Sequence, residues 1–278
     1  MPRFTTSDGL GIAYRDEGDR SGLPVLCIPG LTRNLADFDP VAGHLADVRL
    51  VRITCRGRGD SDRDPDYRNY SVPVEARDCL ELLEHLAIDR AAVLGTSRGG
   101  LIAMYLALVA RNRLAGVLLN DIGPVLEPEG LEPIVDYLGK QPEHGNLDDY
   151  VENLATRSKG FVGVGRERWE EQARNIVIQT SSGLRINYDP RLRDAVLEQS
   201  MDAIDPWAWF RALDQLPTAL IRGANSDLLS HETASRMREM RPDMVFADVP
   251  GRGHVPFLDE PESIAAIRQW LERCAEDG

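Results

Sequence analysis

Ala91-Ala92-Val93-Leu94-Gly95-Thr96-Ser97-Arg98-Gly99-Gly100-Leu101 is the stretch from which the rest of the chain is read. Residues 91–94 are small or apolar and read as a buried strand. The run beginning at Leu101 is apolar nearly all round, as in a helix buried on most of its sides. Between them lies the pattern Gly95-x-Ser97-x-Gly99. A sharp turn from strand to helix puts its serine at a strained backbone position with the hydroxyl exposed. Side chains two positions to either side would clash in so tight a turn, which accounts for both glycines. The helix N-terminus beneath the serine adds free N–H groups and the positive end of a dipole. The plainer reading is a glycine-rich turn whose serine caps the helix.

Similar elements recur on both sides. Short apolar runs at 23–28, 50–55, 116–119, 218–221 and 245–249 read as strands, the first closed by Pro29-Gly30 and the second by Arg56-Gly57-Arg58-Gly59. Helical patterns fall at 36–45, at 74–86 behind Ser71 and Pro73, and from Pro261 onward, with Ile264, Ile267, Leu271 and Cys274 on one stripe. Strands alternating with helices predict an α/β fold, a mostly parallel twisted sheet with helices on both faces. The more polar segment 4–16 is expected to add antiparallel edge strands. Residues 124–216 break the rhythm: no strand is clear, and helical patches lie near 131–138, 148–154, 169–178 and 190–197. Structureless loops of that length are rare in compact domains. The expected organisation is therefore a core of 1–123 and 217–278 with an inserted helical cap at 124–216.

A serine hydroxyl needs a base to become nucleophilic. Five histidines are available. His44, His85, His144 and His231 sit in helical or cap segments. His254 lies in Pro250-Gly251-Arg252-Gly253-His254, after the last strand and before the last helix. Loops at the carboxyl ends of parallel strands are where such sheets place their chemistry, so His254 is the expected base. The base needs an orienting carboxylate. Asp227 lies in the loop beyond the strand at 218–221, and Asp121 lies past the strand at 116–119 on the same edge. The order Ser97, Asp227, His254 is the nucleophile, acid, base order of hydrolases built on such a sheet, and it favours Asp227. An oxyanion needs two donors. The backbone N–H of Arg98, next after the nucleophile, is one, and that of Leu31 in Pro29-Gly30-Leu31 is expected to be the other.

Composition narrows the function classes. The 278 residues carry 45 acidic and 32 basic side chains, a net charge of −13. That surplus repels nucleic-acid phosphates and anionic lipid. Cys27, Cys55, Cys79 and Cys274 are widely spaced in apolar stretches and read as core thiols. No H-E-x-x-H, phosphate loop or dinucleotide fingerprint is present, so no metal or cofactor is expected. The start lacks an apolar signal core and the longest apolar run, 101–110, is too short to span a bilayer, which predicts a cytoplasmic chain. Oligomeric state has no signature here.

Taken together, Pro29-Gly30-Leu31, the loop Arg56-Gly57-Arg58-Gly59-Asp60-Ser61-Asp62, the elbow 95–99, Asp227 and His254 resemble the α/β-hydrolase superfamily, in particular its lidded bacterial esterases, enol-lactonases and C–C hydrolases. Two positions depart from the family pattern: Pro29 stands where a histidine is usual, and Cys55 where an aspartate is common before the Arg-Gly loop. Ser97 at the elbow argues against dehalogenases and epoxide hydrolases, which carry aspartate there. Val255 after the histidine argues mildly against C–C hydrolases. The resemblance implies a serine hydrolase cleaving a small carboxylic ester or lactone through an acyl-enzyme. Amide or C–C cleavage by the same triad, and a non-catalytic receptor on the same fold, remain as alternatives. Specificity would come from the cap, with Trp169, Trp207, Trp209 and Phe210 as candidate pocket walls, or as plain packing of cap on core. Arg33, Arg98 and Arg252 are candidates for a substrate carboxylate, or for pairing with local Asp and Glu.

Overall fold

In the computed structural model, which describes residues 1–143, 145–198 and 205–276, the period-two alternation of buried strands sets the architecture. In β5 (Ala91–Thr96), Ala91 and Val93 join one apolar cluster while Ala92 and Leu94 join another. β3 (Pro24–Ile28) splits the same way, with Leu26 and Ile28 on one face and Val25 and Cys27 on the other. A strand apolar on both faces needs a helix layer on each, and the chain supplies them. α2 (Val72–His85) and α3 (Arg98–Val109) cover the first face. The short α1 (Asp39–Ala42) and the long α10 (Pro261–Glu276) cover the second, where Trp270 is fully buried.

Among the described residues the main sheet has eight strands. β1 (Arg3–Thr5) and β2 (Gly11–Gly18) form the expected antiparallel edge against β4 (Arg49–Ile53). The parallel part runs β4, β3, β5, β6 (Leu114–Asn120), β9 (Thr218–Gly223), β10 (Val245–Val249). α9 (His231–Met240) connects the last two strands. The predicted helix over 36–45 is broken into a tight turn at Leu35–Phe38 and then α1. Pro40 lacks the N–H that a continuous helix would direct at residue 36.

Between β6 and β9 lie α4 (Pro128–Tyr137), α5 (Leu147–Arg157), α6 (Arg166–Ile176), the hairpin β7 (Val177–Thr180) with β8 (Gly183–Ile186), α7 (Leu192–Glu198) and α8 (Pro206–Arg211), none of them in the main sheet. The helices α4 to α7 fall near the predicted patches, whereas α8 and the hairpin were not predicted. α8 belongs to the core: Trp209, Phe210, Leu213 and Leu216 share an apolar cluster with α2 and α3. His144 lies outside the described residues. All four cysteines are buried and none is in a disulfide among the described residues, and no helix among the described residues is long and apolar enough to cross a membrane.

Candidate active site

Ser97 sits at the junction of β5 and α3 with φ 50° and ψ −118°. Two contacts explain why this junction needs its glycines. A Cβ on Gly95 would stand 2.4 Å from the carbonyl oxygen of Gly99, and one on Gly99 would stand 2.0 Å from that of Ile28. The Ser97 N–H donates to the Asn120 carbonyl at 3.0 Å, which ties the turn to the end of β6. The Ser97 side chain does not cap α3. Its hydroxyl is half-buried and turned instead to the imidazole of His254, with Oγ 2.9 Å from Nε2.

His254 stands in the loop after β10, as expected. Its Nδ1 is 2.7 Å from Oδ2 of Asp121. Asp121 is fully buried, and its carboxylate also accepts the Gly223 N–H at 2.8 Å and the Ser226 hydroxyl at 2.6 Å. The expectation that Asp227 orients the histidine is therefore corrected. Asp227 is exposed, while its neighbour Ser226 turns inward onto Asp121. The cause is register. Thr96 of β5 pairs with Asn120 of β6, so the next residue on each strand, Ser97 and Asp121, emerges side by side. Asp227 lies beyond β9, one strand further away and four residues past its end.

The two expected N–H donors sit on peptide units held from the opposite end. A trans peptide is planar, so its C=O and N–H point in opposite directions. The Ser97 carbonyl accepts from Gly100 at 2.8 Å and Leu101 at 3.3 Å, so the Arg98 N–H of the same unit faces away from α3. The Gly30 carbonyl accepts the Arg33 N–H at 3.2 Å, which fixes the unit bearing the Leu31 N–H. A Cβ on Gly30 would lie 3.8 Å from Ser97 Cβ, so this loop runs beside the serine. Among the described residues neither N–H has an acceptor within the protein.

A protein-family model described as the alpha/beta hydrolase family matches residues 25–267. The chain belongs to the alpha/beta hydrolase family. It is 35% identical over 271 residues, 94% of this chain and 92% of the other, to a 3-hydroxybutyrate-oligomer hydrolase of Cupriavidus necator. It is 25% identical to the esterase YbfF of Escherichia coli, covering 93% of this chain and 97% of that one. Among solved structures it is similar to an alpha/beta hydrolase from Novosphingobium aromaticivorans, with a TM-score of 0.90, 39% identity and coverage of 98% and 97%.

The side chains expected to bind substrate in this alpha/beta hydrolase are otherwise engaged. Arg33 forks onto Asp37, with Nε at 2.7 Å and Nη2 at 2.6 Å, and also touches Gln172 of α6. Arg252 pairs with Glu260 at 2.7 Å. Arg98 gives its Nε to Glu75 at 2.7 Å and Nη2 to the Tyr70 carbonyl at 2.8 Å. The ion-pair reading thus holds for all three, and none presents an uncompensated cation. Trp209 packs edge-on against Tyr105 of α3, and Trp207 lies under the Arg236 guanidinium at 4.2 Å. Both take part in packing, the second of the two readings given for them. Trp169 packs edge-on against Phe161 and against Phe257, the latter three residues beyond His254.

Two buried side chains beside the hydrolase site escaped the sequence reading. Asn120 donates Nδ2 to Thr96 Oγ1 and to the Pro256 carbonyl, both at 3.2 Å. Glu75 sits in the first turn of α2 between Arg58 and Arg98. Burial pushes the Glu75 carboxyl up, but the two guanidiniums outweigh it and hold the group below the ordinary glutamate value. A glutamate in an otherwise apolar helix stripe, between Val72 and Cys79, was the available signal.

Proposed function

We propose that this alpha/beta hydrolase cleaves a small carboxylic ester or lactone through an acyl-enzyme, with Ser97 as nucleophile, His254 as base and Asp121 as the acid. The observation that carries the reading is the continuous contact from Ser97 Oγ to His254 Nε2 at 2.9 Å and from Nδ1 to Asp121 at 2.7 Å. The Ser97 O–H donates to Nε2 while the Nδ1–H donates to the carboxylate. As Oγ attacks the carbonyl carbon, its proton moves to Nε2 and the imidazolium forms against a buried anion. The Leu31 and Arg98 N–H groups receive the oxyanion. The proton on Nε2 then passes to the leaving alkoxide. Water, deprotonated by His254, attacks the acyl carbon and releases the acid. The reaction requires no metal or cofactor. The segment from α4 to α7 would act as a lid, and short hydroxyacyl esters are the first substrate class to examine, given the 35% identical relative named for that chemistry.

The test is turnover of matched ester, amide and β-diketone analogues, including a 3-hydroxybutyrate dimer, by wild type and Ser97→Ala. We expect ester hydrolysis, one fluorophosphonate label per chain on Ser97, and a loss of about 10⁵-fold or more in Ser97→Ala. Retained esterase activity in a contaminant-free variant refutes the nucleophile. Stoichiometric labelling without turnover of any analogue indicates a receptor.

A further inference from the structure

We infer that Glu75 is a positioning residue for the oxyanion donors, acting through the guanidinium groups of Arg58 and Arg98. The inference rests on the serine-hydrolase reading above and adds to it a residue that never reaches the substrate. Arg98 carries one donor N–H, and its side chain is anchored by Glu75 Oε2 at 2.7 Å and by the Tyr70 carbonyl at 2.8 Å. Leu31 carries the other, and its carbonyl accepts the Nε–H of Arg58 at 2.8 Å. Arg58 is itself held by Glu75 Oε1 and donates Nη1 to the Arg56 carbonyl at 2.6 Å. Each oxygen of one carboxylate thus holds one arm, and each arm belongs to or ends on a residue that carries one of the proposed donor N–H groups.

Burial makes the linkage stiff. Glu75 and Arg58 are essentially inaccessible, and the Arg98 side chain is only 10% exposed. A charge-assisted bond in such surroundings is short and directional, and no water competes for it. The two donors come from loops far apart in sequence, after β3 and after β5, and the Leu31 loop is a turn closed by the Arg33 N–H on the Gly30 carbonyl. Arg58 adds a second hold on the next peptide unit, through the Leu31 carbonyl. The same pairing explains why Arg98, adjacent to the nucleophile, does not offer its charge to a bound carboxylate.

Glu75→Gln keeps the shape but loses the charge that holds both arms, and Arg98→Met removes one arm while leaving its backbone N–H in place. A donor displaced by about an ångström costs on the order of 10²-fold, so each variant should lose about 10- to 100-fold in kcat with KM within about threefold. The inhibition constant of a trifluoromethyl ketone, whose adduct carries the oxyanion, should rise by the same factor as kcat/KM falls. A non-reacting ether analogue should bind as before, and the pH profile should keep its shape. The double variant should lose little more than the worse single one, because both act on one linkage. Rates are counted per Ser97 labelled by fluorophosphonate, so unfolded protein does not enter. A kcat per labelled serine within twofold of wild type in Arg98→Met overturns the proposal, as does a loss confined to KM or one equal for ketone and ether. If Glu75→Gln does not fold, Arg98→Met carries the test alone. Failure here with Ser97→Ala inactive leaves the hydrolase reading standing, whereas an active Ser97→Ala removes that reading itself.

Discussion

Asp121→Asn is the substitution on which the catalytic geometry turns. The carboxylate is fully buried, and its Oδ2 lies 2.7 Å from His254 Nδ1. When Ser97 gives up its proton, the imidazolium faces this anion. At an effective dielectric near 20, opposite unit charges about 4 Å apart attract by roughly 4 kcal/mol, or about 10³ in rate. The amide adds a second penalty. Its NH₂ can donate to Nδ1, which favours the tautomer whose proton sits on Nε2, facing Ser97, where a lone pair is required. Together the two effects predict a loss of about 10⁴-fold in kcat. The fold should survive, because the Asn oxygen still accepts the Gly223 N–H and the Ser226 hydroxyl can turn to accept the second N–H of the amide. Asp121→Ala would strand both donors, and at about 1–3 kcal/mol for each buried group left unpaired it is a poorer test. The assay is ester hydrolysis at saturating substrate, per chain folded by circular dichroism. Asp227→Asn is the control, and its exposed side chain predicts a change under threefold. An Asp121→Asn enzyme within tenfold of wild type refutes the assignment, as does a larger loss in Asp227→Asn.

Three further outcomes follow from the packing. Gly99→Ala should abolish soluble folded protein or lower the melting temperature by many degrees, since the new methyl would meet the Ile28 carbonyl at 2.0 Å; a normal thermal melt contradicts this. Trp209→Ala should cost about 3–5 kcal/mol in urea unfolding while leaving KM for small esters unchanged, because the ring is core against Tyr105. Burial pushes the Asp8 carboxyl up, but the Thr6 hydroxyl, Arg77 and Arg56 outweigh it and bring it to about 2. A folded pKa below the unfolded value of about 3.9 stabilises above that value and is lost as pH falls towards 2. Asp8→Asn should therefore be less stable than wild type at pH 6, with the gap closing by about pH 2; a gap independent of pH excludes the linkage.

The sheet was legible because its strands are buried on both faces, and residues such as 25–28 and 91–94 leave no other reading. Ser97 was legible because steric crowding at the elbow forces glycine at 95 and 99, so the constraint is written into the composition. His254 was found by position alone, in the loop after the last strand. Asp121 was not chosen because chain order does not encode which strand end faces an imidazole. That depends on the pairing of Thr96 with Asn120, a register that only the folded sheet displays. The partners of Arg33, Trp207 and Trp209 were hidden for a related reason. Proximity along the chain marked them as available, whereas three-dimensional neighbours such as Asp37, Arg236 and Tyr105 had already engaged them.

The strand end at 120–121 also ties the three side chains together. The Asn120 carbonyl receives the Ser97 N–H at 3.0 Å, and its side-chain amide reaches Pro256, two residues beyond His254, at 3.2 Å. Asp121 holds the imidazole itself and, through the Gly223 N–H, the end of β9. Ser97 and His254 are therefore both referenced to one short segment, itself fixed by pairing with β5 and β9 on either side. The reactive geometry then depends on strand packing more than on the conformation of the histidine loop. Any carboxylate at that edge within reach of Nδ1 could serve, and here the nearer strand supplies it while the loop beyond β9 contributes Ser226 as a supporting donor.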